Sequence, residues 1–156
     1  MGISVWRICY NGDLRLQALP YGSTLAPGRW HLPPPFGYSV VYAGSSRALT
    51  QLEKRVHANG FQPANQALIR LDLPEGARIN AADDLGLERS RWRRDAGYTQ
   101  HFGTEWLRKG TALGLWVPSI IEPREMNLLI NPAHSEYGAI QIAIEDPDFQ
   151  FDPRLF

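Results

Sequence analysis

The chain has one cysteine, Cys9, so no intrachain disulfide can form and no thiolate cluster can hold a metal. It has no excess of either charge: 16 Lys+Arg balance 16 Asp+Glu. That balance argues against binding nucleic acid or anionic lipid through bulk charge, although it leaves room for a local patch. No run approaches the ~20 apolar residues of a membrane-spanning helix. The opening MGISVWRICYNGD meets charge at Arg7 and has no long apolar stretch, so it is not expected to act as a secretory signal. The histidines, His31, His57, His101 and His134, lack metal-ligand spacing, and no metal site is expected. Neither G-x-G-x-x-G nor G-x-x-x-x-G-K-[ST] occurs, which removes the signals for a Rossmann site and a P-loop. The G-x-S-x-G elbow of a serine hydrolase is also missing. The expectation is a cytoplasmic protein that does not associate with membranes.

What is present suits a single domain over residues 1–156. A chain of this size buries roughly 70% of the surface its unfolded form exposes, enough for one core. Its 14 glycines and 12 prolines punctuate short elements, as in a loop-rich α+β fold. Strands are predicted over residues 3–9, 38–43, 68–73, 113–117, 126–130 and 138–145 from alternation and β-branched content. Ser45-Ser46 is a capping signal, and Leu49, Leu52 and Val56 then form a helical stripe that Gly60 ends. Residues 83–97 run from acidic (Asp83, Asp84) to basic (Arg89, Arg91, Arg93, Arg94), an order that suits a helix macrodipole. A shorter helical piece is predicted at 104–109, closed by Gly110. Residues 20–37, with Pro33-Pro34-Pro35, cannot be regular and form a long loop, a common place for function. The terminal DPDFQFDPRLF is expected to pack down through its aromatics.

Several polar residues sit where structure alone does not ask for them. Arg29, in Gly28-Arg29-Trp30-His31, carries the side chain best suited to gripping phosphate, though it would serve equally as a surface arginine stacked on Trp30. Tyr42 ends a strand, and Glu53 follows on the next helix beside the apolar stripe. A solvated Glu53 pairing with His57 at i+4 is the plainer reading. Ser119, after Val117-Pro118, could donate to a ligand oxygen or simply end a turn. His134 follows Asn131-Pro132 and could organise that turn.

Taken in order, these pieces resemble the RES domain, a family named for its Arg, Glu and Ser. The resemblance runs from Trp6-Arg7 through Gly28-Arg29-Trp30, Val40-Val41-Tyr42-Ala43, Ser46, Ala48, Leu49 and Glu53 to Gly103 and Trp106-Leu107. It continues with Val117-Pro118-Ser119, Glu125, Asn127, Leu129, Asn131-Pro132-x-His134 and Phe151-Asp152-x-Arg154-Leu155. Each motif is weak alone; the ordered set is specific. The chain departs from the family at His31, where GRWN is usual, and in its run of three prolines.

The resemblance implies an ADP-ribosyltransferase-like fold, α+β with a split mixed sheet around a cleft. It implies a toxin that cleaves the nicotinamide–ribose bond of NAD+, which would be a substrate and not a resident cofactor. It also implies silencing by an Xre-like, helix-turn-helix antitoxin in an oligomeric complex. Glu53 would then stabilise an oxocarbenium-like ribose, and Arg29 would clamp the pyrophosphate with help from Arg7. Tyr42 would pack against the nicotinamide or its ribose, Ser119 would bind a ribose or phosphate oxygen, and Asn131 would support the pocket wall. The acceptor stays open among water, phosphate as co-substrate, and a protein side chain. Two rivals remain: an RNA-acting toxin, suggested by Arg89, Arg91, Arg93 and Arg94 around Trp92, and a non-enzymatic NAD-binding module.

Overall fold

The computed structural model describes residues 2–156. In chain order the elements are β1 (Ser4–Tyr10), β2 (Val41–Gly44), α1 (Arg47–His57), β3 (Gln66–Asp72), β4 (Ile79–Ala81), α2 (Ala96–Lys109), β5 (Gly114–Pro118), β6 (Met126–Ile130) and β7 (Gln141–Phe149). The strands form one sheet in the order β4-β5-β6-β2-β1-β3-β7. β4 and β5 are parallel and the other neighbours antiparallel, which makes the sheet mixed, as expected.

The sheet is split at its centre. β1 pairs with β3 along its whole length, from Ser4↔Asp72 to Tyr10↔Gln66. β2 is held to β6 from Val41↔Ile130 to Gly44↔Asn127. Between β1 and β2, however, the only register pair among the described residues is Trp6↔Gly44. Beyond it the strands part, and the Arg7 side chain fills in for the ladder: its Nη1 donates to the Tyr42 carbonyl at 2.8 Å.

Alternation along the strands builds a core on each side. Leu128 and Ile130 of β6 join Val41, Ala43, Ile69 and Leu71 on one face. Leu129 joins Leu115, Val117, Trp30, Trp106 and Leu107 on the other, beneath α2. Each fully buried Leu or Ile contributes about 1.5–3 kcal/mol of hydrophobic stabilisation. The terminal aromatics do pack down: Phe149 and Phe151 are buried with Ile8 and Leu68.

Ser46 caps α1, its hydroxyl accepting from the Leu49 N–H at 3.0 Å, as the sequence indicates. The stripe read on this helix does not hold. Leu49 is buried, but Leu52 is 42% and Val56 57% exposed. The face turned inward is Leu49, Thr50, Glu53 and Lys54, positions i, i+1, i+4 and i+5. Glu53 and Lys54 on this face are charged because they border a cavity and not a core.

Residues 83–97 do not form a helix. A 3-10 turn at Ala82–Leu85 ends at Gly86, and irregular turns follow. Asp95 then caps α2, accepting from the Tyr98 N–H at 3.0 Å. The short helix predicted at 104–109 is the second half of α2, closed as expected by Gly110 in the left-handed region. β4 carries three residues, too few to show a period, and was not anticipated. The strand predicted at 38–43 begins only at Val41, and that predicted at 138–145 begins at Gln141 after a 3-10 turn. Among the described residues no helix is long and apolar enough to cross a membrane.

Candidate functional site

A cavity of about 620 Å³ opens where β1 and β2 part. Arg7 and Ile8 of β1, Tyr42 to Gly44 of β2, and Thr50, Glu53, Lys54, Val56 and His57 of α1 line it. The loop residues Gly28, Arg29 and Trp30 complete the wall, with Gln100 of α2 and Asn127 of β6.

Glu53 is the best-positioned acid in this cavity. Its Oε1 accepts from Ser119 Oγ at 2.7 Å and from Asn127 Nδ2 at 2.8 Å. Its Oε2 has no hydrogen-bond partner among the described residues, so one oxygen is anchored and the other is left for a ligand. Ser119 is itself fully buried and does not line the cavity. Its Oγ also accepts from the N–H groups of Ile121 and Glu122, at 3.1 and 3.2 Å. The serine thus ties the turn after β5 to the carboxylate. Ser119→Ala is expected to cost about 1–2 kcal/mol, because it strands those N–H groups and removes one anchor of Glu53. Urea unfolding of wild type and variant would check this; equal midpoints would contradict it.

Arg29 lines the same cavity, although much of its guanidinium is engaged. Nη2 donates to the carbonyls of Trp92 and Arg93, both at 2.7 Å. Its Nε is buried without a partner among the described residues, and burial lowers its pKa. Nη1 is left to meet an anion. The loop carrying Arg29 is pinned by one face of α2. Gln100 donates to the Gly28 carbonyl at 3.0 Å and Thr99 to the Arg29 carbonyl at 2.6 Å. The Leu32 N–H donates to Thr104 Oγ1 at 3.0 Å.

Tyr42 presents its ring to the cavity while its hydroxyl is occupied. His31, 1% exposed, decides the pattern. Its Nε2 lies 2.8 Å from the Ser23 carbonyl and must carry the proton there. Nδ1 is therefore an acceptor, taking the Tyr42 hydroxyl at 2.6 Å and the Gly28 N–H at 3.2 Å. The same hydroxyl accepts from the Trp30 N–H at 3.2 Å. Burial pushes the Tyr42 pKa up, so the hydroxyl stays neutral.

Burial lowers the His31 pKa from 6.5, partly opposed by the bond to Ser23. A lowered histidine pKa means that the unfolded chain binds the proton more readily. The stability carried by neutral His31 is complete above pH 6.5 and declines as pH falls from 6.5 toward the folded-state value. Urea midpoints between pH 7.5 and 5 should therefore fall more in wild type than in His31→Asn, which cannot titrate. Parallel profiles would contradict this.

Asn131 lies away from the cavity. Its Nδ2 donates weakly to the Leu107 carbonyl at 3.4 Å, and its Oδ1 accepts from the Ala133 N–H at 3.0 Å. It organises the turn after β6, and His134 Nδ1 accepts from the Glu136 N–H in the same turn. The basic run is engaged internally. Arg89 pairs with Asp83 and Arg91 with Asp95, while Arg93 and Arg94 donate to the carbonyls of Ile120 and Ser90.

The RES domain family model matches residues 4–152. The chain belongs to the RES family. It is 36% identical to the Prs ADP-ribosylating toxin of Sphingobium sp. (strain YBL2), over 99% of this chain and 98% of that one. It is 33% identical to Toxin Res of Yersinia enterocolitica, with 97% and 98% covered, and 34% identical to Toxin Res of Pseudomonas putida, with 97% and 99% covered. In structure it matches a chain of the M. tuberculosis MbcT–MbcA toxin–antitoxin complex with a TM-score of 0.68 at 16% identity, covering 94% of this chain and 86% of that one. The protein is thus a RES-family toxin with an ADP-ribosyltransferase-like α+β fold.

Of the residues that give the RES family its name, Glu53 and Ser119 touch, and Arg29 faces the same cavity. Sequence reasoning assigned no role to Asn127, Lys54 or Gln100. Asn127 carried a signal: in a strand of apolar residues, an amide beside Met126 and Leu128 is out of place. Lys54 carried one too, since it shares a helix face with Thr50 and Glu53 and not with Leu52.

Proposed function

We propose that this RES toxin binds NAD+ in the β1–β2 cavity and breaks the bond between the nicotinamide nitrogen and the ribose anomeric carbon. The carrying observation is the anchored Glu53, with Oε1 fixed by Ser119 and Asn127 and Oε2 free. The leaving pyridine takes the bonding electrons and departs neutral. The anomeric carbon becomes oxocarbenium-like, and a carboxylate held beside it stabilises that charge without reorganising. An acceptor oxygen then forms the new bond and releases its proton to Glu53 or to solvent. The volume of about 620 Å³ suits a ligand of this size. Arg29 Nη1 and Arg7 would meet the pyrophosphate, and the Tyr42 ring would pack against the nicotinamide or its ribose. Ser119 acts through Glu53 as a positioning residue, and Asn131 supports the turn behind β6.

Water as acceptor gives ADP-ribose, and inorganic phosphate gives its anomeric phosphate. A second reading is favoured by the relative named for ADP-ribosylating Prs, 36% identical over nearly the whole chain: the acceptor would be a side chain of a protein target, with the same residues serving. Likeness to a chain of a toxin–antitoxin complex supports an antitoxin partner, for which we propose the Xre-like, helix-turn-helix type, acting in the cytoplasm. The test is incubation of the purified protein with NAD+, with and without phosphate, and with a Prs protein added. Released nicotinamide with one of the three ADP-ribosyl products is expected. Intact NAD+ under all three conditions would overturn the proposal.

A further inference from the structure

Two cations line the cavity without an ion-pair partner among the described residues. Arg7 projects from β1 on the same face as Val5 and Cys9, which are core residues. Its Nη1 and Nη2 donate to the carbonyls of Tyr42 and Leu19, and its Nε is buried with no partner among the described residues. Lys54 follows Glu53 on α1 and lines the same cavity. Among the described residues its ammonium forms neither a hydrogen bond nor an ion pair. Burial and the nearby Arg7 charge both lower its pKa.

The acidic groups whose charge reaches Arg7 are Cys9, Tyr137 and Tyr42. Burial raises all three, Tyr137 to about 12, so each is neutral at neutral pH. Glu53 does not fill the gap, since it forms no ion pair with either cation and acts on the charge of neither. Two like charges in a shared, partly dry space repel each other and lose hydration. The arrangement is favourable once an anion with several acceptor oxygens lies between them.

We infer that Lys54 and Arg7 form a phosphate-binding subsite on the β1–α1 wall of the cavity, separate from the grip that Arg29 offers from the 28–32 loop. This deepens the proposed function, and its phosphate is either the dinucleotide's own or free inorganic phosphate. Lys54 supplies a mobile point charge and Arg7 a fixed one, held by the carbonyls at the split in the sheet.

The test uses the full chain, with inorganic phosphate alone and NAD+ alone as calorimetric titrants. Lys54→Met keeps the stem and removes the charge; Lys54→Arg restores it. Lys54→Met should weaken phosphate binding by at least about tenfold, and Lys54→Arg should stay within about threefold of wild type. If saturating phosphate then weakens NAD+ binding in wild type, the subsite takes the dinucleotide's phosphate; if both bind together, it takes the free ion. Lys54→Met binding phosphate and NAD+ as tightly as wild type, at an unchanged melting temperature, would overturn the inference. Phosphate binding that depends on Lys54 in a protein that leaves NAD+ intact would sink the proposed function and keep the subsite.

Discussion

Glu53→Gln is expected to lower NAD+ consumption by about 10²–10³-fold, the scale for removing one preorganised electrostatic partner of a transition state. The substitution keeps the shape of the side chain. Its amide oxygen can still accept from Ser119 Oγ and Asn127 Nδ2, the two bonds that Oε1 accepts now. What changes is the atom facing the cavity, from a charged oxygen to an NH2 that cannot stabilise a developing cation. A purely structural Glu53 would behave in the opposite way, with stability falling and turnover per folded molecule kept. Nicotinamide release by chromatography and thermal melting on the same preparations separate the cases. Full activity in the variant would remove the carboxylate from the chemistry and with it the proposed function.

The way Glu53 is held also shows what was legible in the sequence and what was not. Six of the strands could be read because residues 68–73 and 138–145 alternate and the others are rich in apolar residues, and Ser46 announced the start of α1. The inward face of α1 could not be read from hydrophobicity. A helix usually buries its apolar stripe, but α1 turns Glu53 and Lys54 toward a cavity, leaves Leu52 exposed and sets Val56 and His57 at the cavity's exposed rim. The error and the site have the same cause, because local pattern fails where function needs polar groups indoors. The failed helix at 83–97 has a different origin. Its charge order suited a macrodipole, but the turn carbonyls of Trp92 and Arg93 are needed as acceptors for Arg29, and a helix would have spent its own carbonyls on itself.

The RES resemblance implied a ligand contact for each of Arg29, Glu53 and Ser119. The protein divides the labour differently: Ser119 is buried behind the carboxylate, and Arg29 and Tyr42 stand at the wall. His31 shows how a departure from GRWN is accommodated. An asparagine offers one carbonyl oxygen and one amide, and the neutral imidazole offers the same pair, an acceptor at Nδ1 and a donor at Nε2.

Gly103→Ala is expected to destabilise the protein by about 3 kcal/mol, at the upper end of overpacking costs. Inside an exposed helix the same change would stabilise by up to about 1 kcal/mol, because alanine loses less backbone entropy than glycine. The sign reverses here because α2 crosses the 28–32 loop at this residue. A Cβ on Gly103 would overlap the Trp30 carbonyl, and its next neighbour is the Trp30 Cβ at 3.2 Å. Neither can swing aside. Trp30 is buried against Trp92 and Phe102, and the backbone on either side is held by Thr99, Gln100 and Thr104. The loop must move as a unit, carrying Arg29 off the cavity wall and pulling the Trp30 N–H from the Tyr42 hydroxyl. Substrate affinity should therefore fall along with stability. Gly97→Ala, in the same helix, meets only Asp95 at an ordinary 3.5 Å and serves as the control. Urea unfolding should show the two alanines moving the midpoint in opposite directions or, at the least, Gly103→Ala alone lowering it. A stabilised Gly103→Ala would mean that the contact between α2 and the arginine loop is looser than described, and that the wall presenting Arg29 is not rigid.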